Sequence, residues 1–134
     1  MPHSLDPIFR PRSVAVIGAS TAPKALGRQI LENILNYRFC GPVYPVNPKT
    51  SELLGLRCFP SVQAIPDAVD LAVVVVPRPA VPGVIAECGT KGVRGVIVIT
   101  AGFRETGEEG RQLEEAVAAE AARYGMRLVG PNCM

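Results

Sequence analysis

Val14-Ala-Val-Ile-Gly-Ala-Ser-Thr-Ala-Pro-Lys-Ala-Leu-Gly27 decides the fold. Its first four residues are a short, apolar, mostly β-branched run, the composition of a strand buried on both faces. Gly18 ends the run and a stretch of small residues follows. Beyond it Leu26, Ile30, Leu31, Ile34 and Leu35 recur at helical spacing to about Arg38, which makes a wide apolar stripe. A buried strand that feeds an amphipathic helix through a small-residue turn is the opening unit of a parallel sheet covered by helices.

The alternation continues along the chain. Gly41-Pro42 breaks the first helix, and Val43–Val46 reads as a second strand, interrupted by Pro45. Ser61–Ile65 is at most a short helix, with Ser61 placed to cap it. Leu71–Val76 is the strongest strand in the sequence. Val81, Val84, Ile85 and Cys88 form the next helical stripe, with Pro79 and Pro82 tolerable only in its first turn. Val96–Thr100 is another apolar strand. Thr106 and Glu109 make a capping box for a helix that runs to Tyr124 and stops at Gly125. Leu128-Val129 is a last short strand. With right-handed crossovers these elements predict one α/β domain over residues 1–134, a Rossmann-like, doubly wound, parallel five-stranded sheet.

Composition narrows the function. The chain has 134 residues, 48% hydrophobic and 19% charged, which excludes intrinsic disorder and suffices for one core without staples. Fourteen basic against twelve acidic residues give a net charge of +2, too little for a dedicated nucleic-acid binder. The charge is uneven: residues 1–50 carry six basic side chains against Asp6 and Glu32. That imbalance suits an anionic small molecule held by the first half. The longest apolar run, Leu71–Pro77, is far short of the about 18 residues a membrane span needs. No basic-then-apolar leader precedes the first strand, so a cytoplasmic location is expected. Four cysteines without a C-x-x-C pair read as reduced, buried thiols. His3 is the single histidine and falls in a terminus expected to fray, so a histidine base, a zinc site or a phosphohistidine has no held residue to use. Neither a catalytic nor a metal-binding residue is expected.

In doubly wound sheets ligands bind beyond the carboxyl ends of the strands, where strand order reverses. The turn after the first strand, from Gly18 onward, offers free backbone N–H groups and a helix N-terminus to a phosphate. Ser20 and Thr21 add hydroxyl donors, and Lys24 and Arg28 add charge. A plain capped turn is the alternative. The dinucleotide fingerprint G-x-G-x-x-G, followed by an acid after the second strand, is broken here. Ser20 and Pro23 disturb the glycine spacing, and Asn47-Pro48-Lys49, in which Asn47 and Lys49 are candidate ligand contacts, holds no carboxylate. If not simply a solvated loop residue, Lys49 disfavours NAD and favours a ligand phosphorylated on its adenosine ribose, coenzyme A or NADP. Pro77–Ala80 and Thr100–Phe103 are loops whose Pro and Gly let backbone approach a ligand closely. Arg78 and Arg104 are candidates for ligand phosphates or for plain surface, and the glutamates from Glu105 to Glu120 read as a solvated helix face.

Five segments, in order, carry a resemblance. They are Ser4-Leu-Asp-Pro-Ile-Phe-x-Pro-x-Ser-Val-Ala-Val-Ile-Gly-Ala-Ser20, Val46-Asn-Pro-Lys49, Val75-Val-Pro-x-Pro79, Ile99-Thr-Ala-Gly-Phe103 and Gly130-Pro-Asn-Cys133. Across essentially its whole length the sequence resembles the CoA-binding domain of ADP-forming acyl-CoA ligases. The same domain opens the α subunit of succinyl-CoA synthetase and occurs in some bacterial protein lysine acetyltransferases. The resemblance implies a domain that binds CoA or acyl-CoA, with no nucleic-acid or membrane partner. It places the CoA phosphates on Ser20, Thr21, Ala22 and Pro23, a contact on Lys49, and a stretch of CoA along Thr100, Ala101 and Gly102. Ala101 departs from the succinyl-CoA synthetase pattern, which has an acidic residue there.

The implied parent reaction joins an acid, CoA and ATP into acyl-CoA, ADP and phosphate through an acyl phosphate and a phosphohistidine. The Gly-Pro-Asn-Cys segment normally leads into a ligase-type domain, or is completed by a partner subunit, that supplies the histidine. The sequence is therefore expected to be the N-terminal, non-catalytic piece of a longer ligase. A regulatory CoA-binding module of an acetyltransferase, a stand-alone CoA-binding protein and an NADP-dependent oxidoreductase fragment are the other readings.

Overall fold

β1 is Val14–Ile17, buried at every position, in a computed structural model that describes residues 11–19, 26–36, 41–99 and 108–129. It is followed by α1 (Leu26–Asn36), β2 (Val43–Val46) and a short hairpin of β3 (Glu52–Leu53) and β4 (Leu56–Arg57). A 3-10 turn (Val62–Ala64), β5 (Leu71–Val74) and a second 3-10 turn (Arg78–Ala80) lead into α2 (Val81–Lys91). β6 (Gly95–Val98), α3 (Glu108–Arg123) and β7 (Arg127–Val129) complete the described chain. The main sheet is five-stranded, ordered β2-β1-β5-β6-β7, and every pairing in it is parallel. Strand order reverses between β1 and β5, so the sheet is doubly wound as the alternating pattern predicts.

The two-residue period of the strands sorts their side chains between the two helical layers. Val14, Val16, Leu71 and Val73 face α1, where Ile30, Leu31, Ile34 and Leu35 meet them. Ala15, Ile17, Ala72, Val74, Val96 and Val98 face the other way. There they pack on Val81, Ile85 and Cys88 of α2 and on Val117 and Ala121 of α3. α2 and α3 also touch each other. At Gly89 a Cβ would stand 2.1 Å from the Tyr124 ring, so the absence of a side chain sets how close the helices lie.

Several boundaries differ from expectation, among them β6, which runs Gly95–Val98 rather than Val96–Thr100. β5 ends at Val74 rather than Val76; the Val75 N–H still bonds the Ile17 carbonyl at 2.7 Å, after which the chain leaves the sheet. Ser61 precedes a single 3-10 turn and its side chain makes no capping bond. The turn closes instead by backbone bonds alone, Ala64 N–H to Ser61 O and Ile65 N–H to Val62 O. The proposed capping box involves Thr106, which lies outside the described residues; α3 ends at Arg123, one residue before the expected Tyr124, and the Gly125 N–H bonds the Ala122 carbonyl at 3.1 Å.

The β3–β4 hairpin has no counterpart in the sequence reading. It pairs Glu52 with Arg57 and Leu53 with Leu56, and Leu53 is buried in the α1-side core. The chain leaving it runs parallel to β2: Phe59 N–H bonds the Pro45 carbonyl at 3.0 Å and Asn47 N–H bonds the Phe59 carbonyl at 2.9 Å. Pro45 is tolerated because this outer side of β2 is completed by a single bridge rather than a full strand.

At the opposite end of the strands Ser13 is a buried polar clamp. Its hydroxyl donates to the Ala68 carbonyl at 3.0 Å and accepts from the Asp70 N–H at 3.0 Å, while its own carbonyl accepts from Leu71 N–H. Ser13→Ala leaves a donor and an acceptor without their partner. The expected cost is about 1–3 kcal/mol, read as a lower urea midpoint with an unchanged slope.

Cys58 and Cys88 are free and buried; Cys40 and Cys133 lie outside the described residues. Burial, helped by the neighbouring Glu87 charge, pushes the Cys88 thiol up from 9.0 to about 12. Burial and then Glu52 raise Cys58 in the same direction. A raised folded-state value means that the native chain holds protons the unfolded chain releases, so stability is full below pH 9 and falls as pH climbs toward about 12. Thermal melts from pH 8 upward are expected to show this decline, and Cys88→Ala to flatten its slope.

Candidate functional site

The carboxyl ends of β1, β2 and β5 open onto a cleft of about 370 Å³ at the reversal of strand order. This is at the lower end of the roughly 300–1,000 Å³ of small-molecule sites. Its walls are residues 17–19 after β1, 46–49 after β2, 75–77 after β5, the segment 60–62, and Val84 with Glu87 from α2. The floor is apolar. Lys49 and Glu87 are the ionisable side chains lining it among the described residues.

Gly18 shapes the first wall. It turns with φ +99, and its N–H bonds the Val46 carbonyl at 3.1 Å. A Cβ at this position would stand 1.9 Å from the Val75 carbonyl oxygen. One at Gly27, in the first turn of α1, would stand 2.2 Å from the Gly18 carbonyl oxygen. Strand end, neighbouring strand and helix start are therefore packed backbone on backbone.

Asn47 shapes the second wall. Its Nδ2 donates to the Ala19 carbonyl at 2.7 Å, and its Oδ1 accepts from the Lys49 N–H at 2.7 Å. Lys49 itself is exposed and makes no ion pair among the described residues. Across the cleft Glu87 presents the opposite charge, so an anionic group is drawn to the β1–β2 side and repelled from the α2 side. Arg28 points part of its charge along α1 instead, its Nε bonding Glu32 Oε1 at 2.8 Å.

The family model described as "CoA binding domain" matches residues 12–134. The chain belongs to the CoA-binding domain family. It is 51% identical over 130 residues to the α subunit of an ADP-forming acetate–CoA ligase II from Pyrococcus furiosus, covering 97% of this chain and 28% of that one. A trans-feruloyl-CoA synthase from an unknown prokaryotic organism is 46% identical over 132 residues, covering 98% of this chain and 19% of the relative. A solved structure of a dinucleotide-forming acetyl-coenzyme A synthetase 1 from Ca. Korarchaeum cryptofilum, in complex with phosphate and ADP, superposes with a TM-score of 0.91 at 50% identity, over 96% of this chain and 27% of that one. The chain thus spans under a third of the length of each of these relatives.

Within this CoA-binding domain four of the residues singled out from sequence, Gly18, Asn47, Lys49 and Pro77, line one cleft. Ser20, Thr21, Ala22, Pro23, Lys24, Thr100, Ala101 and Gly102 lie outside the described residues, as does Arg104. The sequence reading missed Pro60, Ser61 and Val62, which the hairpin returns to the cleft, and Val84 with Glu87, one helical turn apart on α2. It also passed over Gly27. The i, i+3 pair on α2 and a glycine just inside α1 are signals a sequence carries; the hairpin that delivers residues 60–62 has almost none. Among the described residues no helix is long and apolar enough to cross a membrane, and no three His, Cys, Asp or Glu side chains gather as a metal site.

Proposed function

We propose that this domain binds coenzyme A in the β1–β2–β5 cleft, as the CoA-holding part of a larger, cytoplasmic ADP-forming acyl-CoA ligase. The diphosphate lies along the turn from Gly18 to Lys24 and the 3′-phosphate of the ribose meets Lys49. Residues 100–102 and Pro77 flank the rest of the coenzyme. The observation that carries the reading is Lys49 at the cleft, in the place where a dinucleotide site needs a carboxylate for its ribose hydroxyls. Relatives named ADP-forming acetate–CoA ligases support the reaction class, in which acid, CoA and ATP give acyl-CoA, ADP and phosphate. The domain's part is to hold the coenzyme and present its thiol. His3 is the single histidine in the sequence, so a phosphohistidine step is left to a ligase-type domain or partner subunit.

Calorimetry with CoA, dephospho-CoA, NADP and NAD tests the binding claim. CoA is expected to bind tightest and NAD weakest; clear NADP binding with undetectable CoA binding would overturn the reading. In the full-length parent, loss of the CoA thiol that requires both ATP and an organic acid tests the ligase assignment.

A stand-alone or regulatory CoA-binding module is the second reading. It is favoured by a domain-sized solved structure, a hypothetical protein from Pyrococcus horikoshii, which superposes with a TM-score of 0.73 at 25% identity, over 96% of this chain and 84% of that one. A full-length protein that binds CoA but consumes no thiol with ATP and acid would favour it.

A further inference from the structure

We propose that Asn47 is the positioning residue of the cleft: its one side chain fixes the turn after β1 relative to Lys49, acting through both without touching the ligand. The inference rests on the CoA reading above. The amide is used at both ends within the chain, Nδ2 on the Ala19 carbonyl and Oδ1 on the Lys49 N–H, each at 2.7 Å. The Asn47 main chain is anchored as well, its N–H bonding the Phe59 carbonyl at 2.9 Å. Asn47 is thereby tied to the exit of β1, the loop that carries Lys49 and the segment entering residues 60–62.

The residue type is dictated by this double duty. A carboxamide on a short stem offers a donor and an acceptor from one small, uncharged planar group. Pro48 lacks an N–H and has a fixed φ, so the nearest downstream donor for Oδ1 is Lys49, as in the turns Asn forms with its own backbone two residues on. The direction in which Lys49 leaves the sheet follows from that turn. Aspartate keeps the acceptor for Lys49 but sets a second oxygen against the Ala19 carbonyl. Alanine removes both bonds.

These two substitutions separate the roles. Asn47→Asp loosens the turn after β1, which meets the phosphates common to CoA and dephospho-CoA. It is expected to weaken both ligands alike, about tenfold for one lost hydrogen bond, and to keep their affinity ratio at high salt, where the added carboxylate is screened. Asn47→Ala also frees Lys49 and is expected to lower that ratio by about tenfold. A merely structural residue would weaken both ligands without moving the ratio, so an unchanged ratio in Asn47→Ala overturns the proposal.

Amide hydrogen exchange of ligand-free protein gives a readout independent of the CoA reading. The Lys49 amide is expected to be protected in the wild type and in Asn47→Asp, and to exchange at least tenfold faster in Asn47→Ala. Equal protection in all three proteins overturns the coupling even if CoA binds as proposed. Loss of protection in a protein that binds no CoA upholds the coupling and sinks only the ligand assignment.

Discussion

Gly18→Ala is expected to destabilise the domain by about 2–6 kcal/mol and to abolish ligand binding with it. Two costs compound. A residue with a Cβ held at the observed φ of +99 pays strain of about 1–3 kcal/mol. The same Cβ would stand 1.9 Å from the Val75 carbonyl oxygen, and a backbone atom at a strand end cannot rotate aside as a side-chain tip can. Overpacking of this kind adds about 1–3 kcal/mol. The measurement is the urea midpoint at constant slope. A loss under about 0.5 kcal/mol, the usual size for a surface substitution, would show that the end of β5 gives way and that the glycine serves the ligand instead.

Lys49→Glu is expected to weaken CoA by about 1–3 kcal/mol, the loss of one charge-assisted contact and its replacement by repulsion. Dephospho-CoA, which lacks the ribose phosphate, is expected to bind nearly as before. Folding stability is expected to stay within about 0.5 kcal/mol of wild type, because Lys49 is exposed and without an ion pair among the described residues. Raising the salt concentration should narrow the gap between the two coenzymes in the wild type, since exposed charges are screened. Equal losses for both ligands would show that this cation does not meet the ribose phosphate.

The sheet was legible because its strands are hydrophobic on both faces. Val14–Ile17 and Leu71–Val74 are apolar runs too short for a helix and rich in β-branched residues, and each is followed by an amphipathic helical stripe or leads toward one. The strand-end rule then picked Gly18, Asn47, Lys49 and Pro77 with no structure in hand. What escaped was set by contacts distant in sequence. β3 and β4 have two residues each, too few for a period to show. Their turn places Leu54, at φ 52, where Asn or Gly is the usual signal. The purpose of Gly18 was also half visible: its need for freedom of φ is local, whereas the Val75 carbonyl beside it comes from a segment more than fifty residues away, just past β5.

The β3–β4 hairpin departs from the cleft wall at Lys49 and rejoins it at Pro60. At its apex, Leu54 is 38% exposed and already carries a side chain at φ 52, beside Gly55, whose φ of 81 suits a residue without one. A dye or a short guest peptide grafted at this apex would ride outside the hydrophobic layers yet stay mechanically joined to the rim on both sides. The fold thus comes with a ready attachment point for an optical reporter of whatever fills the crevice.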